Sequence, residues 1–374
     1  MDIIIVILII SFLVIIHELG HFFAAIMTGT NVEEFGLGYP PRIFKLFVFK
    51  GTQFTLNAIP FGGFVRLEGE LGRDDSLDKN ESYQGAFFNK SSFKRLAITL
   101  AGIITNIVFA LIAFSIVYSF MGIPISLYDQ ARIGEIAPNS PAAEANLPVN
   151  VNILEIKTDT NFYSIENFED VQKAVADNKG KNLEIVVSGT CEGNVCRDLR
   201  DSYQVYARTQ EETPEGEGSI GVGFLDATFQ YYPWYEMPFR GTWFGIQQAV
   251  GLGWMILQAL VDMFVGLFTK GVLPQDVAGP VGIIHETQKG NVISDSFLAN
   301  LGFAGMLSLN LAIMNLLPIP ALDGGRAIFI MLEKIIGKKT VEKVEGYANY
   351  VGFALLILLI VTITIKDVLK IFNG

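Results

Sequence analysis

His17-Glu18-Leu19-Gly20-His21 follows directly on an unbroken apolar run from Ile3 to Ile16. Residues four apart on a helix share a face, so His17 and His21 can offer two imidazoles to one metal ion, and Glu18 lies beside them where it can act on a water. The chemistry this spacing suits is metal-assisted hydrolysis. Only three histidines occur in the 374 residues, and two of them stand at this spacing around a glutamate. The apolar run sets their depth, since fifteen helical steps from Asp2 to His17 cover roughly 22 Å of a hydrocarbon core about 30 Å thick. Ionisable groups so far inside a bilayer are costly and by default functional. A cleaved signal peptide is the competing reading of the first residues, but the start carries Asp2 and no Lys or Arg, and a discarded segment has no use for a metal site.

Two histidines do not complete a catalytic zinc site, which typically takes three protein ligands and a water. The third histidine, His285, follows Gly279-Pro280-Val281-Gly282 and is one candidate; Asp323, in Asn315-Leu-Leu-Pro-Ile-Pro-Ala-Leu-Asp323-Gly-Gly325, is the other. Physical reasoning favours Asp323. Pro318 and Pro320 stop the preceding apolar segment from continuing as a regular helix, and Gly324 and Gly325 free the backbone beyond it. Unwound chain at membrane depth is tolerated where it is buried in protein or lines a polar cavity, and an aspartate there calls for a cationic partner.

The elements that must position these groups are apolar helices. Hydrophobic residues make up 51% of the chain and charged residues 17%, with a mean hydropathy of +0.41, which is the composition of a membrane protein. Four stretches are expected to span: about Ile3 to Met27, Phe93 to Met121, Phe297 to Pro318, and Tyr350 to Ile365. A fifth, 241–268, contains Asp262 and several glycines and is expected at the membrane interface or packed against the spans. With four spans and the N-terminus outside, Arg42, Lys45, Lys50, Lys90, Lys94 and Arg95 fall in a cytoplasmic loop, as do Arg326, Lys334 and Lys338, in keeping with the positive-inside tendency. The net charge of -11 comes mostly from the polar stretch between Tyr128 and Arg240, which argues against a nucleic-acid partner.

That stretch reads as a soluble domain of short strands and helices. Residues 131–136, 153–156 and 183–187 alternate as strands; Ser140-Pro141 starts one helix and 165–176 forms another. The order resembles a circularly permuted PDZ domain of the bacterial kind, on Asn139-Ser-Pro-Ala-Ala-Glu-Ala-Asn-Leu147 and on Ser219-Ile-Gly-Val222, which looks like a carboxylate-receiving loop. Val149-Asn150 departs from the Gly-Asp usual after the first helix. The only cysteines, Cys191 and Cys196, flank a Gly-Asn turn and form either a hairpin disulfide or two reduced thiols.

Taken together, the histidine motif, the Gly-Pro-Val-Gly segment, the Asn-x-x-Pro-x-Pro-x-Leu-Asp-Gly motif and the PDZ-like region resemble the site-2 proteases, in the bacterial PDZ-containing subgroup that includes the sigma-E regulator protease. The resemblance implies a polytopic α-helical membrane protein of about four transmembrane helices, with a re-entrant β-element near 61–69 and one inserted α+β PDZ-like domain. The implied parts are 1–121 and 279–374 as the two halves of the membrane core, 128–226 as the PDZ-like domain, and 241–268 as the membrane-associated helix. It further implies His17, His21 and Asp323 as ligands of one zinc ion per chain and Glu18 as general base. Asn315, Gly62, Gly63, Phe64 and Val65 become substrate-binding residues. Expected partners are the lipid bilayer, single-span membrane proteins such as trimmed anti-sigma factors or remnant signal peptides, and a peptide ligand of the PDZ-like domain, which would filter substrates by size. The expected location is the bacterial plasma membrane, with that domain extracytoplasmic and the active site toward the cytoplasmic side. Two other classes stand beside this one: a catalytically silent scaffold that binds peptides through the PDZ-like domain, and a membrane-anchored zinc protease acting on water-exposed proteins.

Overall fold

The computed structural model describes residues 2–70, 85–193, 195–214, 216–270, 282 and 296–373. His285 and residues 279–281 lie outside the described residues, as does the Phe61 side chain. The chain divides into two compact units, Met1–Tyr118 with Gly241–Gly374, and Ser119–Arg240.

The first unit begins with α1 (Asp2–Thr28), a continuous helix because its apolar run holds no proline. The Thr28 hydroxyl donates to the Ala24 carbonyl at 2.8 Å, and Gly29 turns the chain out with φ of 71°. A long hairpin follows, β1 (Val32–Phe49) and β2 (Thr52–Leu67), closed at Lys50-Gly51, where both residues have positive φ as a tight two-residue turn requires. The hairpin curls on itself. Phe35 pairs with both Phe54 and Val65, Gly36 with Thr55 and Phe64, and Leu37 with Leu56 and Gly63, so β1 is flanked on both sides by parts of β2. Gly62, with φ of 73°, lies next to Gly63 on the returning arm. Buried Glu34 ties the curl together, accepting from the Thr55 hydroxyl at 2.7 Å and from Arg42 at 2.9 Å.

Helix α2 (Ser92–Met121) packs against α1 and the hairpin, through a core that includes Phe22, Ala25, Phe35, Leu67 and Ile98. Close approach of the helices is permitted by Gly20, where a Cβ would lie 2.6 Å from the Ala101 carbonyl oxygen.

The second unit is an α+β domain. It contains β3 (Ile123–Ser126), β4 (Ile133–Ile136), α3 (Pro141–Glu144), β5 (Ile153–Lys157), β6 (Phe162–Ser164) and α4 (Phe168–Ala176). It continues with β7 (Asn182–Ser188), β8 (Cys191–Glu192), β9 (Val195–Cys196), β10 (Arg200–Tyr206), β11 (Val222–Phe224) and β12 (Ala227–Gln230). An antiparallel sheet in the order β10-β7-β5-β6 packs its apolar face, with Ile156, Ile185 and Val187, against Val171, Ala174 and Val175 of α4. The cap expected at Ser140 forms, its Oγ accepting from Ala143 N–H at 3.3 Å, and Asn167 with Asp170 makes a reciprocal capping box at the start of α4. Cys191 and Cys196 are joined in a disulfide across the β8–β9 hairpin. The unit reaches beyond 128–226, because β12 pairs with β3 along Gln230 to Ile123.

The chain then enters α5 (Met237–Lys270), followed after the undescribed segment by α6 (Phe297–Leu316), α7 (Asp323–Ile336) and α8 (Lys338–Asn373). Here the expected count of about four spanning helices is corrected. Five helices among the described residues are long and apolar enough to cross a membrane: α1, α2, α5, α6 and α8. The added one is α5, expected at the interface. Its glycines and lone Asp262 do not interrupt the helix, and its 27-residue apolar portion, Met237–Met263, would reach about 40 Å, longer than a hydrocarbon core. Ala249 shares a core with Ala110 and Phe114 of α2 and Leu309 of α6.

Candidate metal centre

Helix α1 presents His17 and His21 on one face, with their rings edge to face and centroids 4.8 Å apart. Asp323 arrives from the other end of the chain. Helix α6 stops at Leu316, the segment from Leu317 to Leu322 runs without helix, and Asp323 is the first residue of α7. Pro318 and Pro320 enforce the break, and Ala321 takes a positive φ of 75° with its N–H donated to Asn349 Oδ1 at 2.9 Å. Gly324 and Gly325 let α7 start tight against the break, since a Cβ on either would meet the backbone of residues 316–320.

Three potential ligand atoms converge as a result. Asp323 Oδ2 lies 3.0 Å from His17 Nε2 and 3.2 Å from His21 Nε2, and the two nitrogens are 3.1 Å apart. Among the described residues this is the one group of three histidine, cysteine or acidic side chains able to hold a metal. The separations suit an ion: ligands bonded at about 2.05 Å in tetrahedral geometry sit about 3.3 Å from one another. Without an ion the triangle is poorly satisfied, because Asp323 Oδ2 is buried with no well-directed hydrogen bond. The residues therefore fit a metal with three protein ligands and leave a fourth position for water.

Helix α2 backs this triangle. His21 Nδ1 lies 2.8 Å from the Ile98 carbonyl, an acceptor that places the ring hydrogen on Nδ1 and leaves the Nε2 lone pair for a metal. One turn along, Gly102 makes room for the rings: a Cβ there would sit 2.5 Å from His21 Nε2 and 2.8 Å from His17 Nε2. One turn further, the Asn106 amide lies 3.3 Å from His17 Nδ1. The sequence reading did not single out Ile98, Gly102 or Asn106. A polar residue in the middle of an apolar span was the available signal for Asn106.

The triangle opens on a cavity of about 400 Å³ whose walls include Glu18, Asn315, Gly63, Phe64 and Val65. Four of the five expected substrate-binding residues thus line one space with His17, His21, Asp323 and Glu18; Gly62 stands beside it, near Val14. Gly63 to Arg66 pair with β1 on one side, and no other strand pairs with them among the described residues. Two ion pairs hold the surrounding elements. Arg326 on α7 donates to the Glu70 carboxylate and stacks 4.6 Å over Phe87, tying α7 to the end of the hairpin. Arg95 on α2 grips Glu333 on α7 with both guanidinium nitrogens, one at 2.7 Å.

Known proteins resemble this chain along nearly its whole length. The family model described as "Peptidase family M50" matches residues 5–359. The chain is 33% identical to a candidate zinc metalloprotease of Clostridium acetobutylicum over 100% of its own length and 98% of the relative's. It is 29% identical to the zinc metalloprotease RasP of Oceanobacillus iheyensis, with 98% of each covered, and 26% identical to the regulator of sigma-W protease RasP of Bacillus subtilis over the same shares. A polytopic helical chain that matches this family along nearly its whole length, and that assembles the two motif histidines with a distant aspartate, belongs to peptidase family M50, the site-2 type of metalloprotease.

Proposed function

We propose that this protein hydrolyses peptide bonds in or near the transmembrane segments of single-span membrane proteins, trimmed anti-sigma factors and remnant signal peptides being the substrate classes that fit. On this reading His17, His21 and Asp323 hold one zinc ion and Glu18 is the general base. The observation that carries it is the triangle of His17 Nε2, His21 Nε2 and Asp323 Oδ2, with sides of 3.0 to 3.2 Å, at the wall of a cavity that Glu18 also lines. Zinc, when bound, supplies Lewis acidity, which makes water a nucleophile near neutral pH and offsets the negative charge that develops on the attacked carbonyl oxygen.

The chain's own groups do the rest. Glu18 accepts a proton from the attacking water and returns one to the departing amide nitrogen. A substrate helix must unwind first, because its carbonyls are engaged in internal hydrogen bonds. The unpartnered edge at Gly63 to Arg66 suits an extended substrate segment, which would replace the lost bonds by strand addition. Asn315, which lines the same cavity, offers a carboxamide to the substrate backbone. The Ser119–Arg240 unit is read as an extracytoplasmic PDZ-like domain that binds peptide, and the protein as resident in the bacterial plasma membrane with its active site toward the cytoplasmic side. The basic residues Arg42, Lys45 and Lys50 on the hairpin support that orientation.

The test is cleavage of a panel of tagged single-span substrates in membranes by wild type, Glu18→Gln and Asp323→Ala, with zinc content measured on each purified protein. The reading expects both variants to be inactive, zinc to be retained in Glu18→Gln, and zinc to be depleted in Asp323→Ala. Cleavage by both variants at the wild-type rate would refute the assigned roles. Zinc retained in Asp323→Ala would remove Asp323 from the ligand set.

A further inference from the structure

Asn106 stands in the middle of α2 with no exposed surface, and its side-chain amide faces His17 Nδ1 at 3.3 Å. The other end of that amide, Oδ1, is buried and has no hydrogen-bond partner. The oxygen and nitrogen of a carboxamide exchange places by a half-turn of the side chain, so the geometry admits two bonds to His17 with opposite consequences. With the nitrogen toward Nδ1, the amide donates, and the imidazole hydrogen is forced onto Nε2. There it points into the triangle, at His21 Nε2 3.1 Å away and Asp323 Oδ2 3.0 Å away, and occupies the lone pair a metal needs. With the oxygen toward Nδ1, Nδ1 carries the hydrogen and donates, and Nε2 is bare. The half-turn leaves one buried amide end unpaired in either case, so it costs no additional hydrogen bond.

We propose that Asn106 is a positioning residue of the metal centre: its carboxamide oxygen accepts a hydrogen bond from His17 Nδ1–H, fixing the ring tautomer and aiming Nε2 at the ion. The inference rests on the metal-centre reading above. It completes a pattern on α2, where the Ile98 carbonyl does the same for His21 at 2.8 Å and Gly102, between them, leaves space for both rings. Position 98 acts through its backbone, which side-chain substitution leaves in place. Asn106 acts through its side chain and is open to test. Its backbone carbonyl accepts from the Ser308 hydroxyl of α6 at 2.9 Å, an independent contact that holds the helix without touching the carboxamide.

The experiment measures Zn2+ affinity of the full chain in detergent by competition with a chromophoric chelator, for wild type, Asn106→Ala, Asn106→Asp and Ser308→Ala. Loss of an outer partner of a metal-bound histidine weakens binding by about 10- to 100-fold, which is the expectation for Asn106→Ala. Asn106→Asp keeps an acceptor at Nδ1 and cannot donate when ionised, so it should bind Zn2+ at least as tightly as wild type. Ser308→Ala, which disturbs the same helix contact, should leave the affinity unchanged. Wild-type affinity in Asn106→Ala would overturn the proposal, as would an Asn106→Asp variant that binds weakly. If Asn106→Ala fails to fold, the aspartate variant decides alone, because a donor role for Asn106 and an acceptor role predict opposite results for it. A wild-type protein that binds no Zn2+ would remove the metal-centre reading itself, whereas tight wild-type binding matched by Asn106→Ala would remove only the role of Asn106.

Discussion

Gly102→Ala is the smallest substitution that should disable the metal centre while leaving the protein folded. A methyl group at this position would sit 2.5 Å from His21 Nε2 and 2.8 Å from His17 Nε2, where ordinary contact begins at 3.4 Å. Relief therefore requires a displacement of about 0.9 Å at His21, by tilting the rings or by moving α2 away from α1. Metal ligation tolerates about 0.2 Å, so the ligand triangle cannot stay intact. Global stability should change much less. Overpacking costs about 1–3 kcal/mol, offset in part by the roughly 1 kcal/mol that alanine gains over glycine inside a helix. Zinc affinity of the purified variant, thermal unfolding in detergent and cleavage of a tagged substrate would be measured together. The expected pattern is a fall of about 100-fold or more in cleavage, the scale set by a 1 Å misplacement, with unfolding shifted by only a few degrees. A Gly102→Ala protein with wild-type zinc affinity and activity would refute the close approach of α2 to the two histidines.

Two further outcomes follow from the polar contacts. The Arg95–Glu333 pair is nearly sealed, with side chains 7% and 8% exposed, so Arg95→Ala should lower unfolding stability by about 3–5 kcal/mol. Arg95→Met with Glu333→Leu should recover most of that loss, and a single truncation that unfolds like wild type in a denaturant titration would show that the pair does not hold α2 to α7. In the Ser119–Arg240 unit, the Glu155 carboxyl is held below its ordinary value, first by the Lys157 hydrogen bond and then by Arg200. A depressed folded-state pKa makes this contribution full above about pH 4.3 and lost as pH falls through the folded value. The protection factors of β5 and β7 amides, exchange rates referred to the intrinsic rate at each pH, should therefore fall on acidification, less so in a Lys157→Ala, Arg200→Ala double variant; equal acid dependence in the two proteins would exclude the ion pairs as its cause.

What the sequence determined by itself is what depends on near neighbours. The i, i+4 spacing of His17 and His21 puts both on one face of any helix, and the apolar run before them makes a helix the favoured backbone. The two prolines ahead of Asp323 and the two glycines after it mark a break and a restart that the structure realises at Leu317 and Asp323. Strands β5 and β7 and the cap at Ser140 were legible for the same local reason. The number of helices able to span was read less well, because α5 mixes glycines and Asp262 with apolar residues and composition did not separate an interfacial helix from a spanning one.

Only the tertiary structure decided what crosses long stretches of chain. The choice of Asp323 as third partner was argued from the sequence, but its approach to within 3.0 Å of His17 depends on α6 and α7 packing against α1. The pairing of Cys191 with Cys196, left open by spacing, is made by the β8–β9 hairpin. The double register that lets β2 flank β1 on both sides comes from the curl of the hairpin, which no alternation of residue types announces. The contributions of α2 were the least visible. Ile98 meets His21 across 77 residues and Asn106 meets His17 across 89, and a helix-packing contact of that kind leaves no periodic mark on the segment that provides it. A glycine in an apolar helix reads as a weak helix former until the neighbouring helix shows that two imidazoles occupy the space where its side chain would be.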